Sequence, residues 1–213
     1  MAGAILDPAT ASLIRFAVTV AGGHDPELRE AAGAMVELGV RADWVDELIL
    51  QSVLMVGWPR ALMAMGVWRS VSGLPAPAED EGADYGRAGE WIDRGEATCR
   101  IVYGVNYDKL RANVRRLHPA LDAWMVVEGY GRTLSRQGLD LVRRELCTVV
   151  QTAVLNAPHQ LHSHLRGALN AGATDGEIDA ALQLVGPHLT RDHWNGIKQL
   201  WGEIRERNGT DAD

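Results

Sequence analysis

The stretch RRELCTVVQTAVLNAPHQLHSHLRGALNAG, Arg143–Gly172, decides the fold. It reads as two helices, Asp140–Leu155 and His159–Ala171, with glycine closing the second. Beyond its first turn the first helix carries one carboxylate, Glu145, among mostly apolar residues. The second opens with three histidines, His159, His162 and His164. Polar groups on apolar helices cost free energy unless they are satisfied. These residues are therefore the first place to look for chemistry.

Helical signals continue on both sides. Thr174-Asp175-Gly176-Glu177 has capping-box spacing and predicts a helix over Thr174–Leu184, followed by another over Asp192–Arg207. The tail NGTDAD is expected to fray. Upstream, Asp7-Pro8 and Asp25-Pro26 each read as an N-cap followed by proline at the first helical position. Leu28, Ala31, Ala32, Met35 and Leu38 form one apolar stripe, closed by Gly39. Asp43 opens a third helix, Gly57-Trp58-Pro59 breaks it, and a fourth runs to about Ser70. Helices are also predicted over Arg87–Val102, Tyr107–Leu117 and Ala120–Glu128. No segment alternates with period two, so the fold class is all-α.

The chain also resembles itself. An offset of 133 positions lays Gly39 on Gly172, Leu28 on Leu161, Val45 on Ile178 and Asp46 on Asp179. Both copies read as a helix, a short break, a helix closed by glycine, and a third helix. The same offset puts Glu145 on Ser12 and His164 on Ala31, so the first copy lacks the polar pair. This gives a single all-α domain of two related three-helix units packed together. Its parts are a degenerate first repeat over 8–70, a linker over 71–84, connecting helices over 85–130 and a second repeat over 131–207. The linker, VSGLPAPAEDEGAD, is rich in Pro, Gly, Ala and acids.

Composition bounds the function. The 213 residues are 46% hydrophobic and 23% charged, as in a soluble globular protein. A net charge of −7 argues against a nucleic-acid binder. The longest apolar run, near Leu48–Val56, is broken by Gln51 and Ser52, so no membrane span is expected. The start, MAGAILDPAT, has no basic region and no long apolar stretch, so no secretory signal is expected. Two cysteines make no disulfide framework, and a cytoplasmic location is expected. Seven Trp against one Phe leaves two readings open: core residues that offer an N–H, or a flat pocket wall.

Three segments carry a family resemblance: SRQGLDLVRREL (135–146), QLHSHLRGALNAGATDGEI (160–178) and, more weakly, GWPRALMAM (57–65). They resemble the carboxymuconolactone decarboxylase family, which includes the alkylhydroperoxidase-type proteins. The resemblance implies an all-α fold assembled as a homo-oligomer, trimer or hexamer. The peroxidase branch carries a Glu, then Cys-x-x-Cys, then a His four residues on. Here the Glu matches Glu145 and the His matches His164, but the cysteine positions hold Ala157 and Gln160. Neither can supply a thiolate or a resolving thiol.

What remains is the lactone decarboxylase pattern. Glu145 and His164 would be the catalytic pair, with Arg136 anchoring a substrate carboxylate and Arg132, Tyr130 and Gln160 as further substrate-binding residues. His exchanges protons near neutral pH, and a neighbouring Glu orients the ring or acts as base. Arg holds a carboxylate bidentately. The expected function is cofactor-independent acid–base chemistry, decarboxylation or isomerisation, on a small carboxylated or lactone-type metabolite. No organic cofactor and no metal is implied.

Two other readings stand beside it. One is thiol-dependent peroxide reduction through Cys99 or Cys147. The other is a non-catalytic binding or assembly module of the same fold, which an occluded Glu145/His164 region would favour. A zinc site from His159 and His162, with His188, His193 and Asp192, is a minor reading, since no HExxH or paired CxxC spacing occurs. The sequence Glu128–Arg136 reads as a glycine-punctuated turn before the Glu145 helix.

Overall fold

The computed structural model describes residues 6–210. The segment 1–5, on which the reading of the N-terminus partly rests, and the last three tail residues lie outside the described residues. Among the described residues there is no strand.

The first unit is α1 (Pro8–Gly22), α2 (Asp25–Glu37) and α3 (Ala42–Ser72). The second is α7 (Leu141–Val154), α8 (Pro158–Ala171), α9 (Asp175–Val185) and α10 (Arg191–Thr210). Between them lie α4 (Ala88–Tyr103), α5 (Tyr107–Leu117) and α6 (Pro119–Trp124). α6 runs on into a π-helical segment, Met125–Leu134.

The offset of 133 carries the start of each first-unit helix onto its counterpart: 8 onto 141, 25 onto 158 and 42 onto 175. α3 has two arms, because Gly57 adopts φ 74°, ψ 171°, a conformation that only glycine enters freely. The second arm, from Trp58, then corresponds to α10. By length and composition α3 would span a membrane. It is instead kinked, and its buried Glu47, Gln51 and Ser52 are bonded within the protein.

Local chemistry explains the repeated breaks. Asp7 and Asp140, equivalent N-caps, accept from Thr10 N (2.8 Å) and Arg143 N (3.0 Å). Thr174 and Glu177 form the capping box expected from their spacing. α2 differs from expectation: its N-cap is His24, whose backbone N donates to Glu27 at 2.7 Å, and Asp25 is already helical. Gly39 and Gly172 end the second helix of each unit with φ 64° and 105°. Trp68 Nε1 donates to Asp46 at 2.9 Å, and the equivalent Trp201 Nε1 donates to Asp179 at 2.7 Å. One reading of the tryptophans, as core residues with a satisfied N–H, holds for this pair.

The two units share one core, in which Leu13, Ile14, Leu48, Val149, Leu165 and Ile178 are fully or almost fully buried. Their packing is mutual in outline: α1 lies on α7, and α3 meets α7 as α9 meets α1. Thr10 and Arg143, equivalent positions, bond to each other at 2.7 Å.

The intervening helices form a smaller cluster of Cys99, Val102, Tyr107, Tyr130 and Leu134 against α8. α4 and the π-helix cross backbone to backbone. A Cβ on Gly131 would stand 1.9 Å from Trp91 O, and one on Gly95 would stand 2.1 Å from Val126 O. The glycines read as a turn before the Glu145 helix are therefore a helical crossing. Tyr130, within the π-helix, is buried.

Candidate active site

Glu145 sits in the second turn of α7 and is fully buried. α8 runs back along α7 and brings His164, 6% exposed, beside it. His164 Nδ1 lies 2.9 Å from Glu145 Oε2. The bond uses Nδ1 and leaves Nε2, the other ring nitrogen, outside it. Glu145 Oε1 is buried with no hydrogen-bond partner. The adjacent arginine is engaged elsewhere: Arg144 bonds Glu47 at 2.7 Å and the carbonyl of Leu139. Gly167 makes the close approach feasible, since a Cβ there would stand 2.6 Å from Glu145 Oε2.

His164 opens onto a cavity of about 460 Å³. Its other walls include Tyr103, Trp124, Met125, Tyr130 and Leu134, Leu54 and Met55 of α3, and one acid, Glu128. Trp124, 62% exposed, stands at the mouth, which realises the flat-wall reading for this tryptophan. Tyr103 and Tyr130 meet edge to face, ring centroids 6.0 Å apart. Burial, reinforced by the Glu145 charge, pushes the Tyr103 phenol up to about 12 and raises that of Tyr130 well above its ordinary value. Both hydroxyls are thus neutral donors at physiological pH. Among the described residues, no Lys or Arg lines this cavity.

The structure brings three of the sequence-predicted residues together, namely Glu145, His164 and Tyr130. It places the other three elsewhere. Arg136 is held by Glu47 (2.8–3.0 Å) and by Asp80 (2.7 and 2.8 Å). Arg132 donates to Gly82 O at 2.7 Å and to Glu128 at 2.9 Å, and lies over the ring of Tyr85. Both arginines line a neighbouring cavity of about 530 Å³. Gln160 is exposed in the first turn of α8 and lines neither cavity.

The thiols of Cys99 and Cys147 are fully buried, and burial pushes both up to about 12. Neither is a thiolate near neutral pH, which argues against peroxide reduction through them. Among the described residues no three His, Cys, Asp or Glu side chains converge as a metal site.

Sequence reasoning missed Tyr103, Trp124, Met125, Leu54 and Gly167. Only Gly167 left a signal, as an isolated glycine inside a helix. The others come from elements distant in sequence.

The geometry agrees with a match to the family model described as carboxymuconolactone decarboxylase family, over residues 1–70 and 119–188. The chain belongs to this family. The first matched segment holds α1, α2 and nearly all of α3, and the second holds α7 to α9, with Glu145, His164 and Tyr130, and stops short of α10. α4, with Cys99 and Tyr103, lies outside the match. No protein with a curated description matches the chain.

Proposed function

We propose that the protein is an acid–base enzyme acting on a small, uncharged, lactone-type molecule. The observation that carries this is the buried Glu145–His164 bond at the wall of a 460 Å³ cavity. Glu145 holds the ring with Nδ1–H toward itself, which leaves Nε2 to take a proton from carbon next to a carbonyl. The same Nε2–H then returns the proton to another carbon, giving isomerisation. Glu145 offsets the imidazolium charge formed between the two transfers, and Tyr103 and Tyr130 are the nearby hydroxyl donors for a developing enolate oxygen. Proton transfers of this kind need no redox group.

Within this reading, lactone-type substrates are favoured over free carboxylates. A carboxylate entering the cavity would lose hydration with no cation on the wall to replace it. The cavity also speaks against an occluded, purely structural pair.

The test is solvent exchange. A panel of unsaturated lactones and their ring-opened carboxylates is incubated with the protein in D2O and followed by NMR. We expect deuterium at the carbon next to the carbonyl of a neutral lactone. The rate should fall by about 10²–10⁴-fold in His164→Ala, with unchanged circular dichroism. Equal exchange in wild type and variant would remove the assignment.

A further inference from the structure

We propose that a second copy of this chain docks on the outer face of α3 and completes the wall of the His164 cavity. The inference comes from laying the two units on each other. In the first unit, Leu50, Leu54, Trp58 and Leu62 recur every fourth residue along α3, across the kink at Gly57, and all four are exposed. The offset of 133 places Gln183, Pro187, Arg191 and Asn195 at the same positions of the second unit, where they are exposed as well. The shared scaffold therefore does not need apolar residues here. The first unit has them nonetheless, and leaves Trp58 65% and Leu62 62% exposed.

The stripe continues onto the candidate active site. Leu54 lines two cavities, with Leu121 and Trp124 in the one at His164 and with Leu50 and Trp58 in its neighbour. These side chains form one apolar surface bordering the mouth of the His164 cavity. Trp58 and Trp124 alone expose about 300 Å². With the four leucines the patch reaches about 600 Å², the upper end for a typical monomer and most of the ~800 Å² that each partner buries in a standard interface.

The charges beside the stripe favour a second copy over a charged partner. Glu128 is paired with Arg132, and Arg136 with Glu47 and Asp80. What remains is an uncharged apolar strip, which is complementary to itself, as a two-fold contact requires. A copy seated there covers the mouth at Leu54 and Trp124, so the wall of the cavity is complete only in the assembly.

The test is the mass of the full chain in solution, by light scattering after gel filtration and by sedimentation over a concentration series. It involves no turnover, so its outcome is independent of the acid–base reading. The expected result is an assembly of at least two 23.2 kDa chains. Trp58→Arg, which installs the second unit's own exposed residue, should weaken the assembly by about thirtyfold or more, with unchanged circular dichroism. Leu62→Asn, chosen on the same ground, should weaken it too and decides the matter if Trp58→Arg does not fold. A monomeric wild type, which would leave the stripe to a different partner, or an assembly that the folded variants leave unchanged, would overturn the proposal.

Discussion

The two units share helices, caps and turns but differ along the seams where they meet. One seam, α3 against α7, is polar. Glu47, Gln51 and Ser52 of the first unit face Arg144, Thr148 and Gln151 of the second, with Gln51 Nε2 to Arg144 O at 3.1 Å and Gln151 Nε2 to Ser52 Oγ at 2.7 Å. At the equivalent positions α9 holds Ala180, Leu184 and Val185, and α1 holds Ala11, the exposed Arg15 and Val18. The polar seam borders the helix that carries Glu145. It also ties in Arg136 and, through it, Asp80 of the linker. The duplication has kept a common scaffold and concentrated its buried charge beside one unit's site.

Breaking the polar seam should have the largest effect on stability. Glu47→Ala leaves Arg144, 0% exposed, with a buried charge and no ionic partner. Removing one member of such a pair costs about 3–5 kcal/mol, which urea unfolding would register. A loss below about 1 kcal/mol would mean that the two seams are energetically alike.

A smaller contrast separates the repeated Trp–Asp bonds. Asp46→Ala strands Trp68 Nε1 on a side chain 1% exposed and should cost about 1–3 kcal/mol. Trp201 is also buried, but Asp179 is 44% exposed against 20% for Asp46, so water reaches its place more readily and Asp179→Ala should cost less than Asp46→Ala. Equal losses in thermal unfolding would erase this distinction between the units.

The thiols supply the smallest effect near neutral pH. Both stay protonated when folded, pushed by burial from the ordinary thiol value of 9.0 up to about 12. A raised folded value favours the native state fully below pH 9, and that contribution is lost as pH rises toward 12, where the unfolded chain ionises first. At pH 8 a thiol reagent should therefore modify the protein only as fast as it unfolds. Rapid labelling of either cysteine would restore the thiol reading.

Much of the fold was legible because it is written locally. Asp7, Asp140, Thr174, Gly39 and Gly172 mark helix ends through bonds and dihedrals within a few residues of themselves. The offset of 133 was visible for the same reason. The π-helix was not, because Gly131 is required by Trp91 O on another helix rather than by a turn. The site divides similarly. Glu145 and His164 lie 19 residues apart on neighbouring helices, and their family spacing brought them forward. Arg136 had the right chemistry to anchor a carboxylate, but Glu47, 89 residues away, and Asp80 already hold it. Tyr103 and Trp124 reach the cavity from elements that read only as connectors.

The central claim is that Glu145 and His164 act as one device, in the unit that has them and not in the unit with Ser12 and Ala31. The most direct test is a double-mutant cycle on the lactone exchange rate, with Glu145→Gln, His164→Ala and the pair combined. Residues that act as a unit lose no more together than the more damaging single change loses alone. The account predicts that the double variant is as slow as His164→Ala and still folded. Losses that multiply, or a Glu145→Gln variant with full activity, would contradict it.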